Sequence, residues 1–306
     1  MSILAVGSIA LDSLETPFGK REEVPGGSAT FFSTAASFFG PVAIVGVVGE
    51  DFPEEHLEFL RGRGVDLTGV VRQSGRTFRW KGRYGFDLNE AHTLETQLNV
   101  FGEFDPVLPP QLRRPDFLFL GNIHPRLQAK VLDQVEARPK LVAADTMNFW
   151  IENTRPELLE VLRRVDMLFI NDSEARQLAG EHNVIKAARA ILRMGPKRAV
   201  IKRGEYGALL FDDGHVFASP AYPLEDVFDP TGAGDSFAGG FIGYLAHRRR
   251  DLTLDGLRQA CIAGSTLASF CVERFSLDRF RDLRAEEIAQ RLAAFKALTD
   301  FHEIPV

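Results

Sequence analysis

Val227-Phe-Asp-Pro-Thr-Gly-Ala-Gly-Asp-Ser-Phe-Ala-Gly-Gly-Phe-Ile-Gly-Tyr-Leu-Ala246 sets three small residues, Gly232, Ala233 and Gly234, just before a run that reads as a helix from Ser236 to Ala246. Small residues let backbone approach a ligand closely. The first amides of a helix lack intrahelical partners and sit at the positive end of its dipole. The spacing therefore describes a phosphate cradle that needs no lysine. Asp235 stands beside it, where an acid adds like charge to a phosphate site. Two readings follow: a general base that takes the proton of a substrate hydroxyl as its oxygen attacks a γ-phosphoryl group, or a cap on the helix. The spacing alone leaves both open.

Around this segment, short apolar or β-branched runs recur at Ile3–Gly7, Val42–Val48, Asp116–Leu120, Leu141–Ala144, Met167–Ile170 and Ala199–Ile201. Amphipathic helices are expected at Pro53–Arg63, Pro125–Ala137, Arg155–Arg164, Asp172–Ala179, Val184–Met194, Thr253–Phe270 and Ala285–Leu298. The alternation predicts an α/β fold with a largely parallel sheet buried on both faces. Asp66 to Phe104 differs, being polar and aromatic-rich without helical period, and its runs Thr77–Phe86 and Thr96–Val100 suggest antiparallel strands of a small inserted sheet. Phe31 to Val48 has nearly the length of a membrane span, but Gly40-Pro41 divides it into a helix and a buried strand.

Composition narrows the function classes. The 306 residues are 45% hydrophobic and 25% charged, enough to build a full core. A formal charge of −6 offers no broad attraction for nucleic acid or anionic lipid. The run His247-Arg-Arg-Arg250 reads as a solvated helix end, and the opening Met1-Ser-Ile-Leu-Ala-Val-Gly-Ser has no basic region, so a cytoplasmic protein with no membrane partner is expected. G-x-x-x-x-G-K-[ST], G-x-S-x-G and an H-x-x-x-H pair are absent, and no G-x-G-x-x-G opens a helix after the first strand. Cys261 and Cys271, ten residues apart on one expected helix, would be about 15 Å apart, too far for a disulfide. There are 25 Phe beside 4 Tyr and 2 Trp.

The run Asp229-Pro-Thr-Gly-Ala-Gly-Asp235 resembles the signature of the ribokinase-like family, also called the phosphofructokinase B family of carbohydrate kinases. Other elements follow in family order: Val6-Gly-Ser-Ile-Ala-Leu-Asp12, the diglycine Gly26-Gly27, Asn171-Asp-Ser-Glu174 as N-x-x-E, and Lys202-Arg-Gly-Glu-Tyr-Gly207. The resemblance implies one domain over 1–306, a three-layer αβα sandwich with a mostly parallel sheet and a β lid formed from about 14–24 and 66–104. By the same resemblance Asp235 is the base, and the amides of Gly232, Ala233 and Gly234 form an anion hole. Asn171 and Glu174 organise Mg²⁺ through water, and Asn171, Lys202, Gly204, Gly207 and Gly234 bind ATP. Read from the residues alone, Asn171 and Glu174 also fit a helix cap with its third-position acid, Gly204 and Gly207 an ordinary hairpin turn, and Lys202 a solvated strand end. Backbone oxygens of Asp229 and Thr231 are candidates for a K⁺ loop, although Ser276 stands where relatives often carry glycine. Asp12, Gly26 and Gly27 hold the acceptor, with the face of Phe31 at a position where relatives contact it, and lids of this kind often pair into a homodimer. Asn122 ends a strand that faces the expected cleft and is either a further acceptor contact or a plain turn residue.

Two departures bear on the acceptor. Relatives that hold a ribofuranose usually read G-G-x-x-x-N, and Phe31 takes the asparagine's place; several sugar-acid relatives read D-x-N-x-R where Asp145-Thr-Met-Asn-Phe149 lacks the arginine. Phosphorylation of a hydroxymethyl on a neutral sugar is the leading expectation. A nucleoside kinase is the alternative, with Phe31, Phe32, Phe78, Trp80 and Phe86 available to stack a base or merely to fill the core. A silent sensor of sugar or nucleotide is a third possibility, opposed by the intact Gly-Ala-Gly-Asp run.

Overall fold

Strands and helices alternate along the chain because each apolar run is long enough to cross a sheet and each amphipathic run has one face to bury. The computed structural model describes residues 2–247 and 252–300, so Arg248–Arg250 of the basic run lies outside the described residues. The strands are β1 (Ile3–Val6), β2 (Ala10–Thr16), β3 (Gly19–Gly26), β4 (Val42–Gly49), β5 (Val65–Gln73), β6 (Phe78–Tyr84), β7 (Ala91–Gln97), β8 (Phe117–Leu120), β9 (Leu141–Asp145), β10 (Met167–Asn171), β11 (Arg198–Lys202), β12 (Ala208–Asp212) and β13 (His215–Ser219). Among the described residues, nine form a large sheet ordered β13-β12-β11-β10-β9-β8-β1-β4-β5. Neighbours from β11 to β5 run parallel, while β12 and β13 close one edge with antiparallel pairing.

Successive residues of the central strands point to opposite layers. Ile3, Ala5, Phe117, Phe119, Ala143 and Phe169 pack toward the helices Ser28–Ala36, Ala233–His247 and Leu254–Cys271. Leu4, Val6, Leu118, Leu120, Val142 and Leu168 pack toward Pro125–Gln134, Arg155–Leu162, Asp172–Ala179 and Val184–Arg193. The result is the expected αβα sandwich. Much of the phenylalanine excess lies in the first layer: Phe32 stacks on Phe119 at 4.2 Å, Phe119 meets Phe169 edge-on at 6.3 Å, and Phe169 meets Phe241 at 5.3 Å. Each such ring contributes about 1.5–3 kcal/mol through burial. Cys261 and Cys271 share the helix Leu254–Cys271 and are free thiols.

The small sheet has the order β3-β2-β6-β7. Its outer pairs are antiparallel, but β2 and β6 run parallel, with Asp12 opposite Trp80. The expected boundaries of the insertion need correction. Val65–Gln73 pairs with β4 as the edge of the large sheet, where only one face meets the core, so its polar residues imitate a lid strand. Asn99–Glu103 is a 3₁₀ turn, and β2 and β3 extend the other segment to Ala10–Gly26. Asp12, Leu14 and Thr16 face inward from this sheet, whereas β7 is almost entirely exposed.

Candidate active site

Parallel strands end on a common edge of the sheet, where side chains from separate segments converge. Here that edge gathers Asp145 from β9, Asn171 from β10 and Lys202 from β11, facing the start of the helix Ala233–His247. Pro230–Ala233 forms a turn in which the Ala233 amide donates to the Pro230 carbonyl at 3.2 Å, and the Ser236 amide bonds to the Gly232 carbonyl at 2.8 Å. Ala233 is thus corrected as an anion-hole donor, because the turn engages its amide. The amides of Gly232 and Gly234 make no hydrogen bond among the described residues.

Gly232 has φ +73°, and a Cβ there would stand only 2.2–2.4 Å from three ring carbons of Phe31. Phe31, 1% exposed and packed with Ala35, Leu267 and Phe270, therefore forms the floor of the loop. This corrects the expectation that its face meets the acceptor: the helix Ser28–Ala36 turns that ring into the core. Asp235 lies in the first helical turn, and its carboxylate accepts no hydrogen bond from the described residues, unlike a cap. Loss of water around it, then the nearby Asp145 charge, push its pKa up to about 7 against the opposing pull of Lys202.

Asp12 faces the same loop from the small sheet. It is 5% exposed, accepts the Gly27 amide and lies against Gly26, whose hydrogen leaves it room. Burial first, then the charges of Asp229 and Asp235, raise its pKa to about 8. Tyr84, on the same face of β6, is joined to the loop by the Thr231 hydroxyl, which donates to the phenol oxygen at 3.1 Å. One neutral hydrogen bond is worth about 0.5–1.5 kcal/mol net. Tyr84→Phe is accordingly expected to raise the acceptor KM about two- to tenfold with kcat nearly unchanged, as read by steady-state kinetics.

The remaining expected residues serve partly different ends. Asn171 and Glu174 form a capping box: Asn171 Oδ1 accepts the Glu174 amide at 2.7 Å and Glu174 Oε2 accepts the Asn171 amide at 3.0 Å. Glu174 also accepts the Asn148 amide, and burial raises its pKa to about 7, with Lys202 opposing and Asp145 adding to the rise. Asp229 accepts the amides of Thr231 and Ser276 at 2.9 and 2.8 Å, and the Thr231 carbonyl faces the Cys271 thiol at 3.5 Å. These bonds close the loop on itself through the Asp229 side chain, and Ser276 takes the glycine-like φ of +52° beside it. Asn122 donates to Met147 Sδ at 3.1 Å and accepts Trp150 Nε1 at 2.8 Å, so of its two readings the structural one is favoured: it anchors the segment after β9. Gly204 and Gly207, at φ +53° and +81°, shape the turn after β11, and Asn89 from the β6–β7 connection lies against Gly204. Lys202 Nζ donates to Asp145 Oδ2 at 2.8 Å. Asp145 and Tyr84 were assigned no role from sequence. An acid at the C-terminal end of a parallel strand was the available signal for the first; none marked the second.

Free amides at a helix start, an acid in the first turn and a second acid on the facing small sheet suit phosphoryl transfer by an α/β enzyme. The chain matches the family model described as pfkB family carbohydrate kinase over residues 5–281, and it belongs to that family. It is a phosphotransferase acting on a sugar or nucleoside hydroxyl. A cytidine kinase of Thermococcus kodakarensis is 33% identical over 256 residues, 81% of this chain and 90% of the relative. The adenosine kinase of Sinorhizobium meliloti superposes with a TM-score of 0.79 at 20% identity, covering 95% of this chain and 99% of that one. An E. coli protein assigned as ribokinase II, solved with ATP and Mg²⁺, superposes at 0.78 with 20% identity, covering 96% and 99%. No helix among the described residues is long and apolar enough to cross a membrane.

Proposed function

We propose that this enzyme transfers the γ-phosphoryl group of ATP to the 5′-hydroxymethyl of a ribonucleoside, with cytidine the first acceptor to try. The observation that carries this reading is the register of Asp12 and Trp80, paired on the inward face of the small sheet. The indole lies across Gly82, where any Cβ would collide with it, and its N–H is held by Thr93 Oγ1 at 3.1 Å. A carboxylate suited to ribose hydroxyls thus adjoins a fixed aromatic plane suited to a base. Of the other aromatics considered for stacking, Phe31 and Phe32 are buried, Phe78 stacks on Phe101 at 5.0 Å, and Phe86 is 95% exposed. Phe149 stands where sugar-acid relatives carry an arginine, which disfavours an anionic acceptor, and the cytidine kinase relative supports a nucleoside.

In this reaction the acceptor oxygen attacks Pγ, its proton passes to Asp235, the bond from Pγ to the ADP oxygen breaks, and the amides of Gly232 and Gly234 meet the charge on the transferred group. Among the described residues no three or more His, Cys, Asp or Glu side chains converge as a metal site. The donor set therefore fits a hydrated Mg²⁺ carried by the triphosphate, with Asn171 and Glu174 reached through water. When bound, the ion neutralises phosphate charge.

The test is ADP release with Mg²⁺-ATP against cytidine, uridine, adenosine, inosine, ribose and fructose. Saturable turnover on a nucleoside is expected, and turnover on free sugars alone would overturn the proposal. Trp80→Ala should raise the KM of the accepted nucleoside by about 5- to 150-fold, the range of a lost stacking contact of about 1–3 kcal/mol.

A further inference from the structure

Lys202 and Asp145 form an ion pair at the end of the sheet that faces the glycine loop. They stand 57 residues apart in sequence, on β11 and β9, with β10 between them, so the lysine reaches across the end of a strand to its partner. The pair is shielded, with side-chain exposures of 18% and 7%. The other Asp145 oxygen, Oδ1, accepts the Thr146 amide at 2.7 Å, which fixes the carboxylate. The lysine also feels the charges of Glu174 and Asp235. Its ammonium nitrogen stands 2.8 Å from the position a Cβ on Gly234 would occupy. An ammonium has three donors, and one is used by Asp145. The others adjoin the free Gly234 amide, where the transferred group must pass.

A lysine kept only for stability would be poorly sited, since three acids share one cation in a shielded space and such arrangements are often no better than apolar packing. An incoming phosphoryl oxygen supplies a further partner for the free donors. We infer that Lys202 is a catalytic residue that donates to an oxygen of the transferred phosphoryl group beside Gly234, and that Asp145 is a positioning residue that holds the ammonium there. As the acceptor oxygen bonds to Pγ and the ADP oxygen leaves, the lysine stays protonated and serves as a fixed charge. The inference rests on phosphoryl transfer at Asp235 and is independent of which acceptor is used.

Two measurements on the full chain test it. Binding of a non-hydrolysable ATP analogue and of ADP, each with Mg²⁺ and without acceptor, isolates the γ-phosphoryl contact. Lys202→Met should weaken the analogue by about 10- to 100-fold, the range for a charged hydrogen bond, and ADP by less than about threefold. Equal weakening of both, or of neither, would overturn the assignment. The second measurement is kcat on the acceptor the panel identifies. Lys202→Met should lower it by about 10²–10³-fold, as loss of a transition-state donor does, and Asp145→Asn by about tenfold if the ammonium is only loosened. Because Asp145 acts through Lys202, adding Asp145→Asn to Lys202→Met should cause no further loss. An undiminished second effect would mark Asp145 as acting independently and overturn the positioning role. The double variant leaves no unpaired partner of the broken ion pair, so it keeps the binding test decisive if Lys202→Met alone does not fold. A failure of the nucleoside proposal would appear in the panel and leave the analogue-to-ADP ratio untouched.

Discussion

Asp235→Asn is expected to lower kcat by about 10²–10⁴-fold while the affinities for nucleotide and acceptor change by less than about threefold. Asparagine keeps the shape of the aspartate but cannot take the acceptor's proton. Since the carboxylate makes no hydrogen bond among the described residues, its replacement leaves no partner stranded there. The pH dependence sharpens the prediction. With its pKa raised to about 7, chiefly by loss of water and then by Asp145, the unliganded enzyme should lose kcat/KM as pH falls below about 7. The same shift has a stability consequence of opposite sense. Between the ordinary aspartate value of 3.8 and about 7, the folded state keeps a proton that the unfolded state has released. Stability contributed by this group is therefore complete below 3.8 and is lost as pH rises through about 7. Asp235→Asn should consequently melt at a higher temperature than the parent at pH 8, and the difference should vanish toward pH 3.8. Full turnover in the variant would remove the general-base role, and a lower Tm at pH 8 would show that the charged acid is not under strain.

How far the sequence could be read follows from the range of the forces involved. The helix Asp172–Ala179 was legible to the residue because its cap, its third-position acid and its left-handed Gly180 are all local signals. The central strands were legible because they are apolar on both faces. β5 was misread because an edge strand buries only one face, and that pattern resembles a lid strand. Phe31 was assigned to the acceptor by its place in a motif, yet orientation around the helix Ser28–Ala36 turns it into the core, and motif position carries no such information. Asp145 and Lys202 meet only once three parallel strands are laid side by side, a contact that no local pattern records. Thr231 and Tyr84 likewise meet only when the small sheet lies against the loop. The glycine loop, by contrast, announces itself, since backbone that must approach an anion needs small residues in sequence.

Gly232→Ala is expected to be nearly as damaging to catalysis as loss of the acid, and for a separable reason. Two penalties fall on the same Cβ. Alanine at φ +73° carries roughly 1–2 kcal/mol of left-handed strain, and the methyl would also clash at 2.2–2.4 Å with the ring of Phe31, which is 1% exposed and closely packed. The loop must therefore rise from its floor, taking the free amide of Gly232 with it, and a misplacement of about 1 Å at a reacting centre commonly costs about 10²-fold in rate. Gly214 provides the control. It has φ +80° in the β12–β13 turn, and an added Cβ would meet nothing within 4 Å, so Gly214→Ala isolates the strain. Both variants should lower Tm, Gly232→Ala more, but only Gly232→Ala should lower kcat. Pairing it with Phe31→Leu, which removes the flat ring while keeping an apolar floor, should recover part of the lost turnover without restoring all of the lost Tm, because the backbone strain remains. If Gly232→Ala alone retained kcat within about threefold, the loop would not depend on the Phe31 ring for its position, and the amides would have to be held by the turn at Pro230 and the contact with Tyr84.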